Sequence, residues 1–101
     1  MLFLLMGYDG DDAEAINRRM AVRGQHIALG DEMVASGKML YGGAILGEDD
    51  KMVASVLVLD FADRAELDAW LKIEPYMTGG VWQRVEVKPF RIGPSFVGLH
   101  R

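Results

Sequence analysis

The 101-residue sequence contains no cysteine, only three prolines and only two histidines. The absence of cysteine excludes disulfide frameworks, thiolate zinc sites and cysteine nucleophiles, and it is compatible with a reducing compartment. No apolar run approaches the roughly 20 residues that span a bilayer, so we expect no membrane partner. Basic residues are fewer than acidic ones, 11 against 15, which gives a net charge of −4. We therefore expect no nucleic-acid partner, since general nucleic-acid binding needs a basic face.

The rest of the composition is typical of one small folded domain. Apolar residues make up 50% of the chain and charged residues 26%, which lies outside the range of disordered chains. A chain of this length normally forms one domain around one core. We expect a single domain over residues 1–101, with a core over about residues 2–92 and a tail over residues 93–101. The first residues are apolar but lack a basic segment, so we expect no secretory signal and a cytoplasmic protein.

Strand and helix signals alternate along the chain. Short apolar runs predict strands over residues 2–8, 38–46, 52–61 and 81–91. With helices after the first and third strands, the order βαββαβ predicts an α+β, ferredoxin-like antiparallel sheet whose first and third strands are central. The last strand alternates apolar and charged residues and contains Pro89, as expected for an edge.

The two helical regions have different boundary signals. Asp11 or Asp12 is predicted to cap the first region in a capping box with Glu14. An interior Gly24 is predicted to divide this region into two helices before it ends at Gly37. The second helix is predicted to begin after a capping box at residues 63–66 and to end by about residue 74, followed by a loop over residues 77–80.

The two predicted central strands are apolar on both faces. In the first, Leu2, Leu4 and Met6 alternate with Phe3 and Leu5. Two helices cover only one face of such a sheet, and an open face of this composition exceeds the apolar area that monomers normally expose. We therefore expect a homodimer that buries the open face and creates a pocket between sheet and helices. The alternative is that the helical region or the tail folds across this face.

His26 is the only histidine inside a predicted regular element, since His100 lies in the tail, where we expect it to be solvated. Next to Arg23, His26 can serve as a general base near neutral pH. The alternative is a surface or capping histidine. Two histidines so far apart show no metal-ligand spacing, so we expect no metal and no organic cofactor.

Three further segments contain polar or small residues that suggest function. A carboxylate at Glu74 opposes the negative end of the predicted second helix, so either a functional role or an exposed helix stop explains it. Ser55 is a lone polar residue in an apolar strand and can bond a ligand or a local group. The pair Gly42-Gly43 allows close approach of a ligand or marks a β-bulge.

These residues resemble the bacterial YciI-like (YCII-related) proteins. The matching segments are Arg23-x-x-His26, Met39-Leu40-x-Gly42-Gly43, Ser55, Glu74-Pro75-Tyr76 and Val87-Lys88-Pro89-Phe90, and the resemblance covers about residues 2–92. It implies a dimeric α+β-barrel of the ferredoxin-like type, similar to muconolactone isomerase. One branch of that family contains a dehydrochlorinase that acts on a chlorinated hydroxyquinol.

The resemblance also implies a site. The histidine–aspartate pair of the family corresponds to His26 and Glu74, so the carboxylate stands one methylene further out, and the serine of the family corresponds to Ser55. A carboxylate on one ring nitrogen fixes the tautomer and leaves the other nitrogen to move a proton. We predict that His26 and Glu74 are catalytic. The predicted substrate-binding residues are Arg23, Gly43, Ser55 and Tyr76.

Three functions are compatible with this site. The first is lyase or isomerase chemistry on a small molecule, similar to the dehydrochlorinase. The second is non-catalytic binding of a small metabolite, which the glutamate at position 74 favours slightly because binding tolerates looser geometry than catalysis. The third is a domain that serves only dimerisation or docking to a larger enzyme.

Overall fold

A computed structural model describes residues 1–99, so the prediction for His100 lies outside the described residues. The elements, in chain order, are β1 (Leu2–Asp9), α1 (Ala15–Ala35), β2 (Met39–Leu46), β3 (Met52–Asp60), α2 (Arg64–Leu71), α3 (Pro75–Thr78) and β4 (Trp82–Pro89). A 3-10 helix follows at Pro94–Leu99. Within residues 1–99, no helix combines the length and apolar character needed to cross a membrane.

The four strands form one antiparallel sheet in the order β2-β3-β1-β4. The predicted α+β, ferredoxin-like arrangement is therefore confirmed, with β1 and β3 central and β2 and β4 at the edges. Pro89 is the last residue of the edge strand β4, as predicted.

The core lies between the helices and one face of the sheet. Side chains alternate across a strand, so odd-numbered residues of β1 and β3 point toward the helices. The buried apolar residues include Phe3, Leu5, Met33, Leu57, Leu59, Leu67, Trp70 and Val81. The same alternation places Leu4, Met6, Val56 and Val58 on the other face, where they are only half-buried. Within residues 1–99 the tail contacts this face at one end only, where Phe96 and Leu99 line a groove with Val58.

Helix α1 is continuous through Gly24, so the predicted division into two helices is wrong. A glycine inside a helix costs only about 1 kcal/mol relative to alanine, and packing of the flanking residues overrides that preference. The helix ends as predicted. Gly37 has φ 79° and donates its N–H to the carbonyl of Val34, while Lys38 donates to Met33. This pair of bonds is the Schellman motif that glycine favours.

The start of α1 differs from the prediction. Glu14 occupies the N-cap position and makes no side-chain capping bond, so the capping box with Asp11 or Asp12 is absent. The carboxylate of Asp12 instead accepts hydrogen bonds of 2.9 and 2.6 Å from Arg18. These bonds lower the pKa of Asp12 to about 2. The carboxylate of Asp12 thus pairs with Arg18, in the first turn of the helix, instead of capping the helix.

The second helical region contains two helices. Asp63 caps α2 as predicted, since its carboxylate accepts from the N–H of Glu66 at 2.9 Å. Part of the predicted loop over residues 77–80 is wrong, because Met77 and Thr78 belong to α3. Proline at the first position of a helix needs no hydrogen-bond partner for its nitrogen. Pro75 therefore both stops the preceding segment and begins α3.

We predict that Gly24→Ala raises the free energy of unfolding by about 0.5–1 kcal/mol. A Cβ atom at position 24 would meet no atom within 4 Å, and alanine loses less backbone entropy than glycine in a helix. The matched change Gly37→Ala should instead lower the free energy of unfolding by about 1 kcal/mol, because φ is positive there. Urea unfolding followed by circular dichroism measures both. A destabilised Gly24→Ala variant would contradict the continuous helix.

Candidate active site

One face of α1 borders a cavity that residues of β2 and β3 also line. Arg19, Arg23, His26 and Ile27 are spaced by four, three and one residues, so they share a helix face. They line a cavity of about 340 Å³ together with the glycine pair of β2, Ser55 and Tyr76. The structure therefore brings together five of the six predicted site residues, Arg23, His26, Gly43, Ser55 and Tyr76. The sixth, Glu74, lies behind His26.

His26 and Glu74 are in direct contact. The Nδ1 atom of His26 lies 2.5 Å from Oε1 of Glu74. The glutamate side chain is 1% exposed and the histidine side chain is 17% exposed. The predicted contact is present, and the alternatives of a surface histidine and an exposed glutamate do not describe these side chains. The ring lines the cavity, and Nε2 has no hydrogen-bond partner within residues 1–99.

The position of Glu74 corrects the argument from the helix dipole. Glu74 does not end α2, whose last residue is Leu71, but is the N-cap of α3. Its Oε1 atom accepts a hydrogen bond of 3.0 Å from the backbone N–H of Tyr76. A carboxylate at a helix N-terminus satisfies a free N–H group and is stabilised by it. Local electrostatics therefore favour the glutamate here.

Aromatic rings hold the imidazole on its other sides. The ring of Tyr76 stacks on His26 with centroids 3.7 Å apart and planes 6° apart. Trp82 meets both rings edge-on, at 6.0 Å from His26 and 5.6 Å from Tyr76. Burial raises the pKa of the Tyr76 phenol, so it stays protonated at neutral pH and is not a base. Tyr76, which is predicted to bind substrate, thus packs on the histidine.

A second buried cluster lies beside the first, and Ser55 is the one residue of this cluster that the sequence predicts as a site residue. The Nη1 atom of Arg19 donates to both carboxylate oxygens of Asp9, at 2.9 and 3.0 Å. Its Nη2 atom donates to Oγ of Ser55 at 2.9 Å, and Nε1 of Trp82 donates to the same oxygen at 3.2 Å. One signal could have identified Arg19. It precedes His26 by seven residues, which places both on one helix face.

The glycine pair of β2 has two different roles. A Cβ atom on Gly42 would lie 2.6 Å from Cδ2 of Leu57, so only glycine lets that leucine pack against the strand. Gly43 has open space around it and contributes backbone to the cavity wall. The register shifts of β2 lie between Met39 and Tyr41 and near its end, so the predicted bulge is not at the glycines.

The fold and the site together define a ferredoxin-like α+β protein with a histidine–carboxylate pair in its cavity. A model of the YCII-related domain matches residues 1–91, and the chain belongs to that family. Protein YciI of Escherichia coli strain CFT073 is 28% identical over 97 residues, which cover 90% of this chain and 97% of YciI. An uncharacterised protein of Haemophilus influenzae is 29% identical over 87 residues, which cover 80% of this chain and 89% of that protein.

A solved structure that is similar in fold over nearly the whole chain is that of an enzyme. It is the 5-chloro-2-hydroxyhydroquinone dehydrochlorinase TftG of Burkholderia phenoliruptrix AC1100, in complex with 2,5-dihydroxybenzoquinone. The TM-score is 0.80 at 22% sequence identity, with coverage of 94% of this chain and 98% of TftG. This similarity confirms the fold.

We predict that neutral His26 carries its proton on Nδ1, because the carboxylate of Glu74 accepts there. Long-range ¹H–¹⁵N correlation spectra distinguish the two tautomers, and His100→Gln assigns the signals. Glu74→Ala should abolish this preference. Glu66→Ala, which removes a carboxylate that pairs with Lys38 at the surface, should leave it unchanged. A neutral His26 with its proton on Nε2 in the wild type would contradict the prediction.

Proposed function

We propose that this protein is a lyase or isomerase that moves a proton of a small molecule through His26. The observation that carries the proposal is the contact between His26 and the buried Glu74 at the wall of a cavity. With Nδ1–H held by the carboxylate, the lone pair of Nε2 is available to the cavity. A buried carboxylate in this position stabilises the imidazolium that forms when Nε2 takes a proton.

The proposed step is general-base catalysis. Nε2 takes a proton from a C–H or O–H group of the substrate, and the bonding electrons move into the substrate to form an enolate or a phenolate. In an isomerisation the imidazolium returns the proton to another atom. In an elimination the electron pair expels a leaving anion, and the imidazolium loses its proton to water. Positioned general bases of this kind contribute about 10²–10⁴-fold to rates.

We infer that the substrate is a small planar molecule with a negatively charged group. A cavity of about 340 Å³ is at the small end of the range for ligand sites. Arg23 lines it and has no ion-pair partner among residues 1–99, so its guanidinium is available to an anion. The quinone bound to the structurally similar dehydrochlorinase supports an oxygenated ring as substrate.

A hydrogen-exchange assay tests the proposed chemistry. Hydroxyquinones and enolisable keto acids are incubated with the protein in D₂O, and ¹H NMR records the loss of exchangeable C–H signals. The wild type should accelerate this loss for one of these compounds. His26→Asn should slow it by about 100-fold or more. Glu74→Gln should slow it less, and the double variant should be no slower than the worse single variant, because the pair acts as one unit.

The matched control is Glu66→Gln, which should exchange at the wild-type rate. Exchange that persists at that rate in His26→Asn would overturn the proposal. Binding of a compound without any exchange would favour the second candidate function, a non-catalytic metabolite-binding module. Glu74, whose side chain is one methylene longer than the family's aspartate, also favours this function, because binding tolerates looser geometry than catalysis.

We also propose that the protein is a homodimer joined through the open face of the sheet. The centre of this face contains the half-buried side chains of Leu4, Met6, Val56 and Val58. Tyr41, which pairs with Val58, is 71% exposed. Burying such a face against a second copy supplies the apolar area that a stable interface needs, roughly 1,000 Å² or more.

Light scattering at low micromolar concentration should give about twice the chain mass of 11.2 kDa. Val56→Lys should produce a folded monomer, because it places a charge at the centre of the open face. Val53→Lys, on the same strand but on the opposite face, should remain dimeric. A wild-type mass near that of one chain, with the circular dichroism of the folded protein, would disprove the dimer.

A further inference from the structure

The cavity beneath α1 continues past His26 toward the end of the helix. Ile27, Gly30 and Val34 follow His26 on the same helix face, and all three line the cavity. A helix rises about 1.5 Å per residue, so this wall extends about 12 Å from His26 to Val34. From the sheet, Sδ of Met39 would lie 3.9 Å from a Cβ atom on Gly30. The cavity therefore has a second end, which we call the distal end.

The distal end of the cavity is apolar. It is lined by Ile27, Gly30, Val34, Met39 and Leu57. Met39 and Leu57 are buried in its depth, whereas Ile27 and Val34 are 42% and 59% exposed at its rim. Exposed apolar side chains that border a concave surface are typical of a binding site. The other end of the same cavity contains Arg23 and His26 and is polar.

The cavity is larger than a single ring requires. A cavity of about 150 Å³ is enough to hold benzene, whereas this cavity has a volume of about 340 Å³. A planar ring that contacts Arg23 and His26 therefore leaves the distal end unfilled. Gly30 keeps this space open because it has no side chain. Asp31 lines the same stretch of α1 and is exposed, so its carboxylate disfavours a second anionic group there.

We propose that the distal end is a subsite for an uncharged apolar substituent of the substrate, such as a short alkyl chain. This assignment rests on the proposed function, since it takes the ring and the anionic group of the substrate to lie at Arg23 and His26. Burial of the substituent against Met39 and Leu57 strengthens binding in proportion to the apolar area removed from water. Gly30 determines specificity, because a large side chain at this position would fill the subsite.

A series of 4-alkylbenzoates tests the subsite, because each compound has a carboxylate, a planar ring and a chain of defined length. Titration calorimetry compares benzoate, 4-ethylbenzoate and 4-butylbenzoate. With the wild type, the affinity should rise about 2–4-fold for each methylene group. Gly30→Leu should bind benzoate like the wild type but lose the rise along the series.

The matched control is Gly24→Leu. It makes the same substitution in the same helix, at a position that does not line the cavity and where a Cβ atom meets no atom within 4 Å. This variant should retain the rise along the series. Leucine favours a helix more than glycine does, so both variants should fold.

The outcomes separate the subsite from the proposed proton transfer. No rise along the series in the wild type, including no binding at all, would overturn the subsite, as would a rise that persists in Gly30→Leu. A rise in the Val56→Lys variant but not in the wild type would also overturn it, because a second copy of the chain would then occupy the distal end. The hydrogen-exchange assay judges the proton transfer by itself. A rise along the series without exchange of any compound would overturn the proton transfer and leave the subsite in place.

A second measurement needs no variant. In ¹H–¹³C spectra of the methionine methyl groups, 4-butylbenzoate should shift the Met39 signal more than benzoate does, because only the alkyl chain reaches the distal end. The signal of Met20, which is 53% exposed and does not line the cavity, should not move. Equal shifts of the Met39 signal with the two compounds would overturn the assignment.

Discussion

Two carboxylates are buried beneath α1, and each takes its partner from that helix. Asp9 ends β1 and is paired with Arg19, while Glu74 precedes α3 and is paired with His26. An unpaired buried carboxylate costs several kcal/mol, so each pair must form when the chain folds. The two contacts are two helical turns apart. They fix the position and the rotation of α1 over the sheet, and the cavity exists because α1 is held there.

One glycine of the sheet makes room for the cluster of Arg19, Ser55 and Trp82. Gly7 of β1 pairs with Ser55 of β3, and a Cβ atom on it would lie 2.5 Å from the indole ring of Trp82. The ring can therefore lie directly against β1 and direct its Nε1 atom to the serine. The hydrogen bond from Trp82 to the Ser55 hydroxyl therefore depends on the absence of a side chain at Gly7 in the neighbouring strand β1.

Patterns of local sequence predicted the strands, the edge position of β4 and the cap at Asp63, and the order of strands in the sheet followed from the βαββαβ topology. The contact between His26 and Glu74 was predicted through family resemblance. The predicted helix break at Gly24 is wrong, because packing along α1 outweighs the low helix propensity of glycine, which costs about 1 kcal/mol relative to alanine. Pro75 was predicted only to end the second helix, although it also begins α3. The pair of Asp9 and Arg19 could not be chosen among 15 acidic and 11 basic residues, since it depends on how the helix docks.

The cavity has two kinds of wall. The α1 and α3 side contains the ionisable groups and their partners, whereas the β2 side contains Met39, Tyr41, the glycine pair and Ala44. Substitutions in that edge strand change the shape of the cavity without disturbing the buried ion pairs. The buried polar contacts and the shape of the cavity therefore depend on separate elements. A single peripheral strand can thus vary in sequence while the buried contacts of α1 stay the same.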